Sequence, residues 1–465
     1  MRALSFAAAL AVLAGAGAAV QTPANRGADP VRGADPVRGA DLVRSAIITG
    51  ATLINPTAAA PVVDAVIVIS GSRIAQVGTA ASVKPPAGAE VIDARGKFVI
   101  PGLADMHNHL GAGGMSLGPQ RENYIGNLGR LLAVGVTTVF DPGVGESDFA
   151  KLKSAAAADA APYPRFFGTG PAITIPGGSL GEQGPAPTTV DDARAVVQKL
   201  KAANADAIKI HRDDLAWASK RTMQPMTLDV LQALVDEAHR QRLKVYAHAP
   251  QLARAKEVLR AGVDGLLHGI IDETVDQDFI GLMKKNNASY VPTLTMFEDV
   301  ADVAASARRQ GAYWDQLGLQ PAGVYQLFAS PQGVQMFQQI LNNTALTKER
   351  LPVLRANLKR VFDSGVPVVM GSDTGFFGVF LGAASQVEME LMVEAGLTPA
   401  QVIGAATINA AQMIGREQEQ GSVEVGKLAD LLILDANPRD DIRAIRRIHR
   451  VVKGGVVYDP ARLPK

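Results

Sequence analysis

The stretch "PGLADMHNH", residues 101–109, places two of the chain's seven histidines one residue apart at the end of an apolar run. Residues i and i+2 of a strand point to the same side, so the imidazoles of His107 and His109 are predicted to reach one bound ion together. A chance pair, or two histidines satisfied within the core, fits the same spacing when the motif stands alone. Its interpretation therefore depends on the rest of the sequence.

Short apolar strands alternate with helical patterns over residues 99–415. The helical period of residues 227–242, for example, is followed by a strand pattern over residues 243–249. Eight strand candidates fit the region, and they end near His107, Asp141, Gly170, Lys209, His248, His268, Thr293 and Asp373. This order predicts an α/β fold, a (β/α)₈ TIM barrel, although a doubly wound parallel sheet has the same alternation.

Both ends of the folded region are rich in short strand patterns separated by Gly and Asn-Pro turns. These patterns cover residues 46–98 and return over residues 416–465. Strands at both ends of a chain can bury their apolar faces against each other. We therefore expect a small β-sandwich domain formed by both chain ends.

The first 45 residues are expected to lie outside the folded region. Residues 1–20 combine a positive start, an apolar stretch and Ala-x-Ala steps, which predicts a signal peptide and export to the periplasm or the extracellular space. An N-terminal membrane anchor is the alternative. Residues 21–45 contain the repeated unit GADPVR and are predicted to be a flexible linker, although an arm that binds a partner would have the same composition.

Composition restricts the partners and the ligands. The 46 Lys and Arg residues nearly balance the 45 Asp and Glu residues, so no nucleic-acid surface is predicted and a small-molecule substrate is expected. No further apolar run could span a membrane, so the mature form is not expected to associate with one. The sequence leaves assembly into a homo-oligomer undecided. The chain has no cysteine, which excludes disulfides and thiolate-bound zinc, so any metal would have nitrogen and oxygen ligands.

Several polar residues end different strand candidates. In a barrel, functional side chains gather at the carboxyl ends of the strands. The candidate metal ligands at these ends are His107, His109, Lys209, His248, His268 and Asp373. Taken singly, the later histidines fit structural roles and the aspartate fits a helix cap. Taken together, imidazole and carboxylate ligands at one edge predict a site for zinc or a similar divalent ion.

Lys209 lies between apolar neighbours in "AIKI", where an unpaired charge is costly. A buried lysine readily loses its proton, and the neutral amine can add carbon dioxide to become a carbamate able to bridge two metals. A lysine paired with a structural acid is the alternative. His211 and Arg212 follow at the same edge and are expected to contact the substrate, although His211 also fits an exposed position.

The motifs "PGLADMHNH", "ADAIKI", "VYAHA", "AGVDGLLHG", "GSDTG" and the tail "GSVEVGKLADLLILDANP" resemble those of the amidohydrolase superfamily, in its imidazolonepropionase-like and prolidase-type branch. The resemblance implies a barrel with an end domain and a pair of divalent metal ions, zinc being the expected metal. It implies these roles: His107 and His109 on the first metal, His248 and His268 on the second, a carboxylated Lys209 as bridge, and Asp373 as ligand and proton shuttle.

One loop departs from the pattern of that branch. Where members often read "GGHG", this chain has "ITIPGGSLGEQG", with Ser179 at the place of the histidine. Pro250 likewise stands where many members have a second histidine after the ligand of the fifth strand. Both positions are expected to contact the substrate, so the departures concern specificity.

The sequence therefore predicts an exported binuclear metal-dependent amidohydrolase. It is expected to cleave an amide bond of the peptide or N-acyl amino acid type by attack of a metal-bridging hydroxide, with Asp373 accepting the proton. A lactone, ester or phosphotriester hydrolase would use the same centre. A non-catalytic exported binding protein is a more distant alternative. It predicts that at least one candidate ligand residue would be missing, and all six are present.

Overall fold

The computed structural model describes residues 45–84, 86–110, 124–176, 184–220, 223–314, 319, 323–376 and 378–464. The predicted signal peptide, residues 1–20, and the predicted linker, except for Ser45, lie outside the described residues. Within the described ranges, no helix has both the length and the apolar character needed to cross a membrane.

Strands dominate both ends of the described chain and alternate with helices between them. They are β1 (Ser45–Leu53), β2 (Val62–Ser70), β3 (Arg73–Thr79), β4 (Glu90–Asp93), β5 (Phe98–Pro101), β6 (Leu103–Asp105), β7 (Val136–Asp141), β8 (Arg165–Gly168), β9 (Ala207–His211), β10 (Lys244–His248), β11 (Gly265–Leu266), β12 (Ser289–Tyr290), β13 (Leu431–Leu434), β14 (Ile448–Lys453) and β15 (Val456–Tyr458).

Helices occupy most of the remaining described chain between β6 and β13. They are α1 (Tyr124–Ala133), α2 (Glu146–Ala155), α3 (Val190–Ala202), α4 (Leu228–Arg240), α5 (Leu252–Ala261), α6 (Gln277–Lys285), α7 (Leu294–Ala301), α8 (Val303–Trp314), α9 (Val324–Ala329), α10 (Pro331–Ile340), α11 (Thr344–Asp363), α12 (Ala383–Glu394), α13 (Pro399–Ala405) and α14 (Ile408–Met413).

Strands from both chain ends pair in one eight-stranded sheet. Its order is β15-β14-β13-β5-β1-β2-β3, and β4 pairs parallel to β1. The link between the two ends is the antiparallel pair β5–β13, in which Val99 lies opposite Ile433. The two β-rich ends of the sequence thus share backbone hydrogen bonds.

Strand β13 is buried on both faces, which its unbroken apolar sequence LLIL reflects. Leu431 and Ile433 pack into the core of the eight-stranded sheet. Leu432 and Leu434 point the other way, into the large core shared with the helices. Strand β13 therefore joins the eight-stranded sheet, called the end sheet below, to the central region.

The central strands pair in parallel. One sheet has the order β6-β7-β8 and another has the order β12-β11-β10-β9. A bridge between Ile173 and Ile210 connects the segment after β8 to β9. A third core group takes side chains from β6, β7, β9 and β10 and from the segments beside β11 and β12; among them are Ala104, Phe140, Ala207, Tyr246, Leu267 and Val291.

The eighth strand candidate, which ends near Asp373, is not a regular strand in the structure. Val368 bridges to Tyr290 and Thr374 bridges to Asn108, both in parallel. The backbone N–H groups of Met370 and Ser372 donate to Ala405 O and to Oδ1 of Asp105, and Asp373 has a left-handed backbone with φ +60°, so no continuous ladder forms there. The segment nevertheless lies hydrogen-bonded between β12 and the end of β6.

The helical pattern of residues 227–242 is confirmed. Helix α4 begins after Thr227 and buries Leu231, Leu234, Val235 and Ala238, although the Thr227 side chain makes no capping hydrogen bond. Helix α5 ends at Gly262, whose φ of 101° lies in the left-handed region that only glycine adopts easily.

We predict that Leu432→Ala lowers the free energy of unfolding by about 2–5 kcal/mol, because a fully buried side chain would leave a cavity between the two cores. Val425→Ala is the matched control, since Val425 is 65% exposed and its loss should change stability by less than about 0.5 kcal/mol. Urea unfolding of both variants measures the difference. Equal stabilities would contradict the role of β13 as the joining strand.

Candidate metal centre

Polar side chains gather at the carboxyl ends of the parallel strands. Strands β9 and β10 pair in a register that sets Lys209 opposite Tyr246 and His211 opposite His248. His268 follows β11, which pairs with β10. The segment after β6 carries the first two histidines to the same edge, where the backbone N–H of His109 donates to Thr374 O.

His107 and His109 face one carboxylate. The Nε2 atoms of the two imidazoles lie 3.3 Å and 3.0 Å from Oδ1 of Asp373. One ligand atom from each of the three residues lies within 4.8 Å of the others. These three residues are called the first ligand group below.

The imidazoles form a continuous row across the strand ends. The ring centres are 4.6 Å apart for His211 and His248, 4.3 Å for His248 and His268, and 4.8 Å for His268 and His107. His109 extends the row at 5.2 Å from His107. Five of the seven histidines of the chain thus meet at one edge.

His248 has one ring nitrogen committed to a buried carboxylate. Its Nε2–H donates to Oδ2 of Asp213 over 2.6 Å. Asp213 also accepts from the Trp217 indole over 2.9 Å and from the backbone N–H of Leu215. The hydrogen bond at Nε2 leaves Nδ1 of His248 as the nitrogen available to a ligand.

His268 has the opposite nitrogen committed. Its Nδ1 is hydrogen-bonded to Oγ1 of Thr293 at 2.8 Å, which leaves Nε2 available. Thr293 is fully buried and has φ +48°. A β-branched residue in the left-handed region is strained, and such strain is concentrated at functional sites.

Burial controls the charge of these rings. It lowers the pKa of His107, His211 and His268 well below the usual value for imidazole. At neutral pH these three rings are therefore uncharged. A neutral imidazole has the free lone pair that a metal ligand needs.

Asp373 is the anion of the first ligand group. Burial by itself would raise the pKa of Asp373, but His107, His109 and Lys209 hold it below the usual value. The carboxylate is therefore ionised at neutral pH. Its left-handed backbone is fixed by its own N–H, which donates to His107 O over 2.8 Å.

Lys209 is 1% exposed. Burial lowers the pKa of its amine to about 7, against the opposing attraction of Asp373 and Asp141. A fraction of this lysine is therefore neutral under ordinary conditions, which is the state expected from its apolar neighbours in the sequence.

The three predicted substrate-binding residues have different surroundings. His211 stacks on His248, with an angle of 12° between the ring planes. Arg212 is buried, and its guanidinium pairs with Glu257 at 2.9 Å. Ser179 lies outside the described residues.

Three further residues hold the site and were not singled out from the sequence. Asp105 accepts hydrogen bonds from the backbone of His107 and from Ser372. Asp141 accepts from the backbone of Leu110 at 2.7 Å and lies 4.0 Å from His109. Asp141 and Thr293 both end strand candidates, so their positions in the sequence could have indicated a role at the site. Asp105 lies two residues before His107, a spacing that places both on one face of a strand.

The first ligand group fits a divalent cation. Asp373 Oδ1 is buried and, although Nε2 of His109 lies 3.0 Å away, it accepts no hydrogen bond of good geometry, which is costly for a carboxylate oxygen. It lies between two imidazole nitrogens, and a cation bound by all three would satisfy it. Nitrogen and oxygen donors without sulfur suit zinc and similar ions.

Comparison with known proteins agrees with this geometry. An imidazolonepropionase from Shouchella clausii is 30% identical over 145 residues, covering 28% of this chain and 31% of the relative, so the match spans about a third of that protein. An uncharacterized protein of Mycobacterium tuberculosis is 25% identical over 384 residues, covering 82% of this chain and 90% of the relative. A solved structure of a predicted prolidase from Bifidobacterium longum is 28% identical, covers 91% of this chain and 96% of its own, and has a TM-score of 0.72.

The mixed α/β fold of the described residues therefore matches known amidohydrolase-type structures. The amidohydrolase family model matches residues 98–458, which include all six candidate ligands. This chain belongs to the amidohydrolase family.

Proposed function

We propose that this protein is a metal-dependent amidohydrolase that cleaves an amide bond in a small substrate of the peptide or N-acyl amino acid type. The observation that carries this proposal is the unsatisfied Oδ1 of Asp373 between the imidazoles of His107 and His109. Similarity over nearly the full chain to a predicted prolidase supports an amide bond as the target.

We propose a closed (β/α)₈ barrel as the scaffold, with a β-sandwich built from both chain ends. Parallel hydrogen bonding leads from β12 to Val368 and from Thr374 to Asn108 beside β6. The core group inside these strands takes side chains from around the ring. Both features are expected of a barrel interior.

We propose that the centre holds two divalent ions, with zinc as the metal. His107 and His109 would hold one ion through Nε2, and His248 and His268 would hold the other through the nitrogens that Asp213 and Thr293 leave available. When bound, such ions supply positive charge that polarises a carbonyl group and lowers the pKa of water.

Asp373 is the proposed proton carrier. Its lowered pKa keeps the carboxylate ready to accept a proton from the attacking water at neutral pH. The same oxygen then donates that proton to the nitrogen of the leaving amine as the amide bond breaks. The carboxylate returns to its starting state, so the cycle is balanced in protons.

We propose that Lys209, as a carbamate, would help to hold both ions. Its amine, with a pKa of about 7, adds carbon dioxide in the neutral form and releases a proton, which leaves an anionic carbamate with two oxygens. A methionine at this position would keep the buried volume and remove this chemistry.

Export to the periplasm or beyond, a small-molecule partner and a possible homo-oligomer are further proposals. Export is supported by the composition of residues 1–20. Release of an amino acid outside the cytoplasm would agree with this location.

The proposed function is tested by a hydrolysis screen over dipeptides, N-acyl amino acids, lactones and phosphotriesters, with metal content measured on the same sample. We expect amino-acid release that disappears after chelation and returns on addition of zinc. Activity unchanged by complete metal removal would overturn the metal-dependent mechanism. Hydrolysis confined to lactones or phosphotriesters would replace the amide assignment.

We predict that Asp373→Asn lowers kcat by at least about 100-fold, because the amide cannot accept the proton. Asp236→Asn, on the exposed side of α4, is the control and should keep full activity. Steady-state kinetics on the best substrate of the screen, with metal content equalised, measures the effect. Retention of kcat by Asp373→Asn would remove this residue from the proton pathway.

Lys209 predicts a pH dependence of stability in the metal-free protein. The pKa of its amine is about 7 in the folded chain and has its ordinary value of 10.5 when the chain unfolds, so the unfolded chain binds the extra proton between these values. Stability contributed by this group therefore rises with pH across that interval, by up to about 1.4 kcal/mol per unit.

The test compares unfolding free energies of the unaltered protein and Lys209→Met from pH 7 to pH 9, in buffers free of carbon dioxide. The unaltered protein should gain stability relative to the variant as pH rises. Parallel profiles for the two proteins would show that Lys209 titrates normally. Added bicarbonate should stabilise only the unaltered protein.

A further inference from the structure

Helix α12 follows the Asp373 segment and is buried from Ala383 to Met392. Two of its polar side chains, Ser385 and Glu388, are three residues apart and therefore lie on one face. Neither is fully explained as core packing, because Ser385 bonds to Asp105, two residues before His107, and Glu388 bonds to the segment whose Thr293 holds His268. The two segments are different ones.

Ser385 supports the first ligand group through Asp105. The Ser385 hydroxyl donates to Oδ2 of Asp105 over 2.6 Å. Oδ1 of Asp105 accepts the backbone N–H of His107 at 3.2 Å and that of Ser372 at 3.0 Å. The same carboxylate therefore holds the backbones that position His107 and Asp373.

Glu388 supports His268 through the start of α7. Its two carboxylate oxygens accept the backbone N–H groups of Leu294 at 2.8 Å and Thr295 at 2.7 Å. A carboxyl group at a helix N-terminus satisfies donors that have no partner within the helix. Thr293 makes no side-chain cap of its own, so its hydroxyl is left to hold His268.

We propose that Ser385 and Glu388 are positioning residues that fix the separation between the first ligand group and His268. The inference rests on the proposed metal centre and adds the device that sets its spacing. Helix α12 connects the two halves of the site through these two side chains, which are called its arms below. Because Thr293 is held in a strained backbone conformation, loss of the Glu388 arm lets it relax and turns His268 away.

Glu388→Gln tests one arm with little change in volume. The amide nitrogen cannot accept from Leu294 or Thr295, so at least one donor at the start of α7 loses its partner. Ser385→Ala tests the other arm, and Thr293→Val removes only the hydroxyl that holds His268. These two smaller changes keep the inference testable if Glu388→Gln does not fold.

Glu390→Gln is the matched control. Glu390 lies on the same helix, is also a buried carboxylate, and pairs with Arg446 and with Arg309 at 3.4 Å. It is two residues from Glu388 and so faces another side. Its loss weakens the fold without touching either arm.

The experiment titrates the metal-free full chain with cobalt(II), followed by visible absorption, and records thermal unfolding of the metal-free protein alongside. Glu388→Gln and Thr293→Val should raise the dissociation constant of at least one of two bound ions by about 10- to 100-fold, and Ser385→Ala should act in the same direction. Glu390→Gln should lower the unfolding temperature yet keep both dissociation constants within about twofold of the unaltered values.

Two results would overturn the inference. If the unaltered protein binds two ions and the arm variants bind them equally well, the arms do not position the ligands. If Glu390→Gln weakens binding as much as Glu388→Gln, the effect is general destabilisation. An unaltered protein that binds no divalent ion would instead overturn the proposed metal centre itself.

Discussion

The hydrogen bonds to the buried carboxylate of Asp105 are the constraint on which the site depends. Four donors converge on it: the backbone N–H groups of His107 and Ser372 and the hydroxyls of Ser372 and Ser385. Burial raises the pKa of Asp105, and these hydrogen bonds oppose that rise. Loss of any donor would leave a buried polar atom without its hydrogen bond, which is costly. The end of β6 and the segment before Asp373 therefore cannot separate cheaply, and the left-handed backbone of Asp373 is kept in place.

Around that constraint the site collects neutral nitrogens and one anion. Burial lowers the pKa of His107 and His268, while the surrounding groups keep Asp373 ionised. A lone carboxylate with an unsatisfied oxygen is an unfavourable arrangement in a protein interior. A cation removes that cost, which is why the geometry favours a metal centre over a satisfied polar core. In surroundings of such low polarity, electrostatic interactions between the protein and a charge on a bound molecule are also stronger.

The fold separates stability from chemistry. Strand β13 is buried on both faces and joins the eight-stranded sheet to the central core. The carboxyl ends of the parallel strands bear the polar groups, where strained residues such as Thr293 and Asp373 are tolerated because the surrounding hydrogen bonds hold them. Helix α12 contributes to both stability and the site. Its apolar residues pack in the core, and its polar face contacts Asp105 and the start of α7.

The sequence by itself determined which side chains stand at the strand ends, because strand alternation and apolar runs are local properties. His248 is the last residue of β10, and Lys209 lies two residues before the end of β9. The eighth strand candidate is not a regular strand, since the N–H groups of Met370 and Ser372 bond to Ala405 and to the Asp105 side chain. Only the tertiary structure decided which nitrogen of His248 and which of His268 is left for a ligand. Asp213 binds His248 across 35 residues and Glu388 holds the start of α7 across 93, and no local pattern records such partners.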